Sequence, residues 1–569
     1  MTCSKAMKIL LVYPYFLHDR TEAENVAAMP IGLYYLAAAL IESGHDVVVA
    51  NWHSLRGKPD IMEAELCEIA PDVLAVSVFA ANRWGALDAA KAAKRILPDV
   101  RVVFGGIGAT FLSRFFLENF EYVDFIIRGE GERAFPAFLD ALECGAPLST
   151  VSGLSWREGE GVRENDCAAL IENLDELPDP SKYFTFQHVI LSRGCPGKCT
   201  FCGSPRFWGA KVRFHSPEYL ARQVQRLAAR GVGFFYVSDD TFTLRREYVL
   251  EFCRLLRERV PGAAWQAISR VDRVDEEILE AMRSAGCVQI SYGVESGSPA
   301  VRERLRKKTD NAQIRRAFDL TTRYGMVARA YIIYGNPGET AESIRESAQL
   351  LTEIRPLVTL FHVLTVLPGT ELYEQARQRF GISDEVWMNR EEDLLWLDMD
   401  PELEFEQVHA WGKSLKQGYH DALPGFVDTL ETADAPHLSA EFADFFARLG
   451  MTFDQGDYAS QYAPEQRDPV AEKLYRRALA HAPDNKAFLG LGMLLNRNAR
   501  TEEAVQMLSR GLSAFPDDPN LRLCLGIGLM NLGRVREALP QLECVAEYPQ
   551  AQPYLSECRK ILEAQDRRR

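Results

Sequence analysis

The sequence predicts an α/β protein in three parts: an N-terminal doubly wound parallel sheet, a partial (βα)6 barrel and a C-terminal all-α solenoid. Short apolar runs rich in β-branched residues alternate with helical patterns, and this alternation pauses at about residue 145 and resumes at about residue 185. These two observations predict the sheet and the barrel. A repeat of 33 to 34 residues beyond residue 466 predicts the solenoid.

The composition excludes several classes of protein. The chain has 569 residues, which is too long for a single hydrophobic core, and its formal net charge of −15 argues against a broad nucleic-acid-binding surface. No uninterrupted apolar run reaches the ~18 residues of a membrane span. The opening MTCSKAMKILLVYP lacks a small-residue cleavage site, so it predicts a first strand rather than a secretory signal. We therefore expect a cytoplasmic protein with no membrane span and no nucleic-acid partner.

Five buried strands define the first predicted domain, residues 5–145. A helix over 31–44 lies between the first two strands, with Pro30 before it and Gly44 at its end. Continuous apolar strands separated by helices indicate a parallel sheet covered on both faces, and ligands of such sheets bind beyond the carboxyl ends of the strands. The predicted strands are 8–14, 46–51, 72–79, 100–106 and 124–131.

An acidic, proline-punctuated linker over 146–184 leads to the predicted barrel, residues 185–384. Six further strands alternate there with helical patterns such as 217–231 and 275–286. In a barrel of parallel strands the chemistry is expected at the carboxyl ends of the strands. The predicted strands are 188–195, 234–240, 264–270, 288–295, 328–335 and 358–369.

The C-terminal third is predicted to be helical. Residues 385–465 mix acidic and aromatic residues and predict only a helical connector, whereas 466–565 contain the repeats. Their period, with small residues recurring at Gly492 and Gly526, resembles tetratricopeptide repeats, whose concave surface can bind a protein partner. Because the predicted barrel ends before residue 385, removal of the repeats is expected to leave its chemistry intact. The recurring segments are 471–485, 502–518 and 536–549.

Three of the twelve cysteines stand close together in RGCPGKCTFCG, residues 193–203. Cys195, Cys199 and Cys202 have the spacing C-x3-C-x2-C on a loop directly after a predicted strand. A structural zinc site needs a fourth ligand and would have to recruit a residue such as His215. Three thiolates that hold a 4Fe-4S cluster instead leave one iron open to a substrate. The other cysteines are isolated and most are expected to be buried small apolar residues: Cys3, Cys67, Cys144, Cys167, Cys253, Cys287, Cys524, Cys544 and Cys558.

The cysteine motif resembles that of the radical S-adenosylmethionine (SAM) enzymes. In that family the open iron binds the amino and carboxylate groups of SAM, and an electron from the cluster cleaves SAM to a 5′-deoxyadenosyl radical. The resemblance implies that Phe201 lies near the adenine of SAM. It also implies an electron donor such as flavodoxin or ferredoxin.

Residues at the other predicted strand ends match the same family. The resemblance implies that Asp239 and Asp240 lie near the amino group of SAM. It implies that Arg270, next to Ser269, pairs with the SAM carboxylate as a bidentate donor, and that Glu295 accepts hydrogen bonds from the ribose hydroxyls. The turn GNPGE is expected to bring its backbone close to the adenine through Gly335, Pro337 and Gly338.

The N-terminal domain resembles the flavodoxin-like cobalamin-binding domain that precedes the barrel in one large subgroup of this family. The matching segments are MPIGLYYLAAAL (29–40), GGIGATF (105–111) and RGEGE (128–132). Glycines there let the backbone approach a flat macrocycle and its nucleotide tail. The D-x-H-x-x-G motif that supplies a histidine to cobalt is absent, so bound cobalamin is expected base-off, with no protein nitrogen on the metal; the absence equally permits a domain that has lost its cofactor. The residues expected to bind the cofactor are Gly105, Gly106, Gly129 and Glu130.

The leading hypothesis is a cobalamin-dependent radical SAM methyltransferase that acts on an unactivated carbon of a small molecule, a lipid or another metabolite. The alternative within the class is a cyclase or rearrangement enzyme that uses cobalamin without net methylation. A methylthiotransferase would carry a second three-cysteine cluster in its N-terminal domain, and this sequence has none. The alternative from another class is a binding protein whose repeats recruit a partner and whose catalytic half is vestigial.

Overall fold

A computed structural model describes residues 6–18, 28–209 and 211–567. The predicted domain start at residue 5 and the isolated Cys3 lie outside these residues. In the part of the chain that is described, no helix is both long enough and apolar enough to cross a membrane. The three-part α/β fold predicted from the sequence is confirmed.

The N-terminal domain is built on one sheet of seven strands. The strands are β1 (Lys8–Tyr13), β2 (Asp46–Asn51), β3 (Val73–Ser77), β4 (Arg101–Gly105), β5 (Phe125–Ile127), β6 (Leu154–Glu158) and β7 (Gly161–Glu164). Their order is β2-β1-β3-β4-β5-β6-β7, and the first five pair in parallel as predicted. β6 and β7 form an antiparallel hairpin, so the sheet extends into the segment predicted as a linker.

Helices cover both faces of this sheet because alternate residues of β1 point into two different hydrophobic cores. Leu10 and Val12 pack into the core that includes the third helix, whereas Ile9 and Leu11 pack into the core that includes the first and last helices. The helices are α1 (Ile31–Glu42), α2 (Pro59–Ile69), α3 (Arg83–Ile96), α4 (Gly106–Phe111), α5 (Ser113–Asn119) and α6 (Gly131–Cys144). α4 and α6 both begin at the carboxyl edge of the sheet.

The second part is an open barrel of six parallel strands. The strands of this part are β8 (His188–Val189), β9 (Ser192–Arg193), β10 (Arg213–Phe214), β11 (Phe234–Val237), β12 (Ala264–Ser269), β13 (Cys287–Glu295), β14 (Val327–Tyr334) and β15 (Val358–Val363). Six of them are bonded in the order β15-β14-β13-β12-β11-β8, which is their order along the chain. β9 and β10 form a separate antiparallel pair beside the barrel.

Helices of the barrel alternate with its strands, as predicted. They are α7 (Ser204–Trp208), α8 (Pro217–Ala229), α9 (Arg246–Arg259), α10 (Glu276–Ser284), α11 (Pro299–Arg304), α12 (Asn311–Arg323), α13 (Ala341–Ile354) and α14 (Glu371–Phe380). Local capping sets several of their first turns. The side chain of Asp310, for example, accepts from the amide of Gln313 at 2.8 Å while the Gln313 side chain accepts from the Asp310 amide at 3.1 Å.

The C-terminal part is α-helical from Phe405 onward, whereas the first part of the predicted helical connector, 385–404, forms loops with two short 3-10 turns and an isolated bridge from Leu395 to Thr365 of the barrel. Its helices are α15 (Phe405–Asp428), α16 (Ser439–Asp454), α17 (Pro464–His481), α18 (Asn485–Arg497), α19 (Thr501–Ala514), α20 (Pro519–Asn531), α21 (Val535–Glu543) and α22 (Gln552–Asp566). α15 packs on the edge of the barrel, where the Tyr419 and Phe361 rings lie 5.8 Å apart. One hydrophobic core then runs from Leu357 of the barrel through Phe446 of α16 to Leu474 of α17 and Leu491 of α18. The connector and the first repeat therefore share a core.

Candidate active site

The three clustered cysteines lie on one loop between β9 and α7. A Cβ built on Gly197 would be 3.3 Å from the Sγ of Cys195 and 3.8 Å from the Sγ of Cys199, so both sulfurs converge on this glycine. Burial raises the pKa of Cys199, and it raises the pKa of Cys202 to about 11. The thiols of Cys199 and Cys202 are therefore protonated at neutral pH, and a metal that binds them displaces their protons. The donor set fits a 4Fe-4S cluster with one iron left open.

The cavity above this loop contains the predicted SAM-binding residues at the carboxyl ends of the barrel strands. It has a volume of about 720 Å³. The predicted residues that line it are Cys195, Cys199, Cys202, Phe201, Asp240, Ser269, Arg270 and Glu295. The parallel strands β11, β12 and β13 bring Asp240, Arg270 and Glu295 together, because residues that follow such strands reach the same edge, and the loop after β9 adds the cysteines and Phe201.

Arg270 is held in a fixed orientation by a carboxylate two residues along the chain. Its Nε donates to Oδ1 of Asp272 at 2.9 Å and its Nη2 donates to Oδ2 at 3.1 Å. Its Nη1 lies 3.7 Å from the position of a Cβ on Gly197, beside the cysteine loop. A bidentate pair fixes a guanidinium plane, so Asp272 directs the remaining Nη1 toward the site.

Glu295 pairs with Lys307, a residue that the sequence analysis missed. Lys307 Nζ donates to Glu295 Oε1 at 2.8 Å, and the two side chains are only 9% and 8% exposed. Burial lowers the pKa of Lys307, but the charge of Glu295 and the hydrogen bond to it outweigh this effect and the pKa is raised overall. Lys307 therefore stays cationic and brings a positive charge to the cavity wall. In the sequence, Lys307 stands in the basic run RKK (306–308), and such a run is typical of a solvated surface.

We expect Lys307→Met to weaken SAM binding about tenfold or more, since a hydrogen bond to a charged group contributes ~1.5–3 kcal/mol. The substitution also leaves Glu295 buried without its cation, so the melting temperature should fall. Calorimetric titration of the cluster-loaded protein with SAM measures the first effect. Lys308→Met is the matched control because Lys308 is exposed. Equal SAM affinities in the Lys307→Met variant and the wild type would contradict the placement of this residue.

Asp239 and Asp240 take different positions although they are adjacent. Asp240 lines the cavity and accepts from the Ser204 hydroxyl. Asp239 is fully buried behind the wall, where its carboxylate accepts from the amide of Leu191 at 2.9 Å and from the hydroxyl of Ser192. Burial raises the pKa of Asp239 to about 7. Asp239 thus ties the start of the cysteine loop to β11.

The GNPGE turn does not line this cavity within the described residues. Gly335 packs against Val408 of α15, at 3.2 Å from the position of its Cβ. The carboxylate of Glu339 accepts from the amide of Gly335 at 2.6 Å, and Arg304 donates to the carbonyl of Gly338 at 2.5 Å. The turn is therefore closed on itself. The adenine contact expected of Gly335, Pro337 and Gly338 stays a prediction.

The connector forms part of the cavity wall, which the sequence analysis did not foresee. Glu392, Asp393 and Lys416 all line it. The buried guanidinium of Arg83 in the N-terminal domain holds this segment, because its Nε donates to the carbonyl of Trp387 at 3.0 Å and its Nη1 donates to the carbonyl of Glu392 at 2.8 Å. The wall thus depends on contacts between residues about 300 positions apart.

A second cavity of about 500 Å³ lies at the carboxyl edge of the N-terminal sheet. The four residues expected to bind cobalamin all line it: Gly105, Gly106, Gly129 and Glu130. Gly106 has φ +89° and Gly129 has φ +78°, values that favour glycine, and a Cβ on Gly129 would project into open space. The rest of the wall is largely apolar and includes Leu36 and Phe135. A glycine-lined apolar cradle fits the nucleotide tail of cobalamin.

The structure argues against the zinc alternative. Both ring nitrogens of His215 already have partners, since Nε2 lies 3.1 Å from the Tyr35 hydroxyl and Nδ1 lies 3.2 Å from Asp175. Its ring also stacks on Tyr219 at 4.1 Å. Across the described residues, no three His, Cys, Asp or Glu side chains converge on a single-ion site.

Comparison with known proteins defines the class. Residues 189–351 match the family model described as "Radical SAM superfamily", residues 26–139 match "B12 binding domain", and residues 470–525 match "Tetratricopeptide repeat". The chain belongs to the radical SAM superfamily, in the group that carries a B12-binding domain. It is an enzyme, and its cofactors are SAM, a 4Fe-4S cluster and cobalamin.

Particular relatives support this assignment. The chain is 31% identical over 388 residues to an uncharacterized methyltransferase, PH0819, of Pyrococcus horikoshii, covering 65% of this chain and 83% of the relative. It is 27% identical over 403 residues to the anaerobic magnesium-protoporphyrin IX monomethyl ester cyclase of Cereibacter sphaeroides, covering 66% of this chain and 65% of the relative. The fold is similar to that of the radical SAM methyltransferase TsrM from Kitasatospora setae, solved with cobalamin and a 4Fe-4S cluster, with a TM-score of 0.60, 18% identity, and coverage of 84% of this chain and 100% of TsrM.

Proposed function

We propose that this enzyme methylates an unactivated carbon of a small molecule. One observation carries the proposal: the cysteine loop and the α7 helix directly after it separate the two cavities. The cysteines line the first cavity, whereas Phe207 and Trp208 line the second. The site that holds SAM and the site that holds cobalamin are therefore neighbours, as transfer of a methyl group between them requires.

Different residues of the first cavity bind different parts of SAM. When bound, the cluster supplies one electron for reductive cleavage of SAM, and cobalamin supplies a methyl group. Arg270 and Lys307 place two cations in the wall, which suits the carboxylate of SAM. Glu295, fixed by Lys307, offers its carboxylate to the ribose hydroxyls, and Phe201 offers an aromatic face to the adenine. Burial of these side chains keeps water away from a reactive intermediate.

The cavity volume limits the size of the substrate, and the repeats and the free cysteines suggest partners and a location. A cavity of about 720 Å³ that also holds SAM limits the substrate to a small molecule or a slender part of a larger one. The repeats offer a surface for a protein partner. A flavodoxin or ferredoxin as electron donor and a cytoplasmic location belong to the same proposal. The cysteines of the described chain are all free thiols, which suits a reducing compartment.

The experiment follows the two fates of SAM in one reaction. Methyl-deuterated SAM, a reductant and fractionated metabolite extract are supplied to the anaerobic holoenzyme. S-adenosylhomocysteine and 5′-deoxyadenosine should accumulate in roughly equal amounts, together with a deuteromethylated product. Arg270→Ala should depress both by-products, because one SAM site serves both molecules in turn. Deuteromethyl product without 5′-deoxyadenosine would contradict radical methylation.

A cobalamin-dependent cyclase or rearrangement enzyme is the second candidate. It is favoured by the similarity to the magnesium-protoporphyrin IX monomethyl ester cyclase, which is 27% identical over 403 residues. The same assay separates the two functions. Substrate turnover with 5′-deoxyadenosine but no S-adenosylhomocysteine selects the cyclase or rearrangement reaction.

We expect bound cobalamin to show a base-off absorption spectrum with no protein nitrogen on cobalt. One histidine, His188, does line the second cavity, but its Nδ1 lies 2.8 Å from the Ser238 hydroxyl and its ring stacks on Tyr236 at 4.6 Å. These contacts fix the ring through Nδ1 and its face, and the sequence lacks the D-x-H-x-x-G motif that presents a histidine to cobalt. The spectrum of His188→Ala should therefore match that of the wild type. A histidine-ligated spectrum that His188→Ala abolishes would contradict the expectation.

A further inference from the structure

Four buried charged side chains join the cysteine loop to the N-terminal domain. Arg193 stands two residues before Cys195, and its Nη1 and Nη2 donate to Oε1 of Glu130 at 2.7 Å and Oε1 of Glu132 at 2.5 Å. Arg213 Nη1 donates to Oε2 of Glu130 at 2.7 Å. The four side chains are between 1% and 6% exposed. We refer to Glu130, Glu132, Arg193 and Arg213 as the charge quartet; its two carboxylates balance its two guanidinium groups.

The charge quartet holds both flanks of the cysteine loop. Arg193 at the end of β9 and Arg213 at the start of β10 are register partners. Trp208, at the end of α7, lies over both guanidinium groups, with its ring 5.3 Å from Arg193 and 5.9 Å from Arg213. The segment with the three cysteines therefore begins at Arg193, a member of the quartet. The helix that follows it ends at Trp208, which packs against both guanidinium groups of the quartet.

A second contact ties the same loop to the other glycine-rich turn of the cobalamin domain. Gly203 follows Cys202 directly, and a Cβ built on it would be 3.4 Å from Cδ1 of Ile107 and 3.9 Å from Cε2 of Phe111. Ile107 belongs to the segment GGIGATF and lines the second cavity. Both segments that form the cobalamin cradle thus pack against the ends of the cysteine loop.

Three members of the charge quartet also line the second cavity, and its guanidinium groups are incompletely hydrogen-bonded. Glu130, Glu132, Arg193 and Trp208 line that cavity. Three buried nitrogen atoms have no hydrogen-bond partner among the described residues: Nε of Arg193, and Nε and Nη2 of Arg213. Unpaired buried donors are costly, and because Arg193 lines the cavity, a ligand there can improve the surroundings of its Nε.

We propose that the charge quartet couples the two cofactor sites energetically. Cobalamin in the second cavity orders the cysteine loop and strengthens cluster binding, and the cluster in turn raises the affinity for cobalamin by the same factor, as linkage requires. Arg193 is a positioning residue in this coupling, because it affects the cluster only through the cysteine loop that it anchors. The inference rests on the cofactors of the proposed function and adds an interaction between their sites.

The test measures one binding constant in two states of the full-length protein. Hydroxocobalamin is titrated by absorbance into cluster-loaded protein and into protein freed of iron by anaerobic chelation. The cluster-loaded protein should bind it about tenfold more tightly, within the range of known coupling energies. Equal affinities in the two states overturn the coupling but leave the proposed function standing. Failure to bind hydroxocobalamin in either state overturns both.

A conservative variant separates positioning from folding. Arg193→Lys keeps the cation but loses the fork that spans Glu130 and Glu132, so the ratio of the two affinities should fall to below about twofold. Arg133→Ala is the matched control, because Arg133 is the next residue after Glu132 and its pair with Glu176 is exposed, at 60% and 56%. The control should keep the full ratio. An undiminished ratio in Arg193→Lys overturns the role of Arg193.

A measurement on the wild type keeps the proposal testable if Arg193→Lys fails to fold. Hydrogen exchange is followed in iron-free protein with and without hydroxocobalamin. The amides of residues 193–208 should exchange more slowly when hydroxocobalamin is bound. This segment carries the cysteines that bind the cluster, so slower exchange there shows that cobalamin acts on the cluster site. Unchanged exchange in that segment overturns the coupling.

Discussion

Cys195→Ala, Cys199→Ala and Cys202→Ala should each lose the cluster and all SAM cleavage. Wild-type protein reconstituted anaerobically should hold about four irons, and each variant should hold much less than one. The reason is geometric: the sulfurs of Cys195 and Cys199 converge on Gly197, and the cysteines outside this loop that the structure describes do not line the cavity. A lost thiolate ligand therefore has no replacement among the described residues. Iron analysis and 5′-deoxyadenosine assay measure the two effects.

Cys144→Ala provides the matched control for these variants. Cys144 is an exposed free thiol at the end of α6. Its removal should change neither the iron content nor the SAM cleavage, since it contacts neither cavity. A Cys202→Ala variant that keeps four irons and cleaves SAM would contradict the cluster assignment.

Deletion from residue 466 onward should destabilise the whole enzyme, in contrast to the expectation from the sequence alone. The deletion removes Leu474, Tyr475 and Leu491 from the core that they share with Phe446 and Phe453 of α16. Burial of each large apolar side chain contributes ~1.5–3 kcal/mol, so several together approach the ~5–15 kcal/mol that separates folded from unfolded domains. We expect insoluble protein, or a melting temperature lowered by more than about 10 °C.

A shorter deletion tests this explanation directly. Removal of residues from 535 onward takes away α21 and α22 but leaves every residue of the core shared with the barrel. This variant should stay soluble and keep its cluster. Soluble, cluster-loaded protein from the deletion at 466 would show that the shared core is dispensable and that the repeats form an independent domain.

Much of the site was predictable because its residues follow strands. Arg270 and Glu295 stand at or just beyond the carboxyl ends of β12 and β13, and parallel strands bring such positions to one edge whatever the rest of the fold does, whereas Cys195 stands on the loop after the separate strand β9 and is recognised by its cysteine spacing. The glycines of the cobalamin cradle were predictable for a similar reason. Gly106 and Gly129 adopt positive φ, a backbone requirement that the sequence records directly as glycine.

The remainder of the site depends on contacts that leave no local pattern. Lys307 is twelve positions after Glu295 in a basic run, and only burial distinguishes it from exposed Lys308. Glu130 was predicted to bind cobalamin from its place in RGEGE. Its carboxylate accepts a hydrogen bond from Arg193, 63 positions away, and neither segment alone indicates this pairing. That Glu130 also contacts the cofactor stays a prediction.

The most direct test of the cofactor assignment is a metal and sulfide analysis of the full-length protein, purified without oxygen and supplied with cobalamin. We predict about four irons, four acid-labile sulfides and one cobalt per chain, because the residues that the structure describes include one three-cysteine loop and one glycine-lined cradle. Tightly bound zinc in place of iron, together with no cobalt, would contradict it.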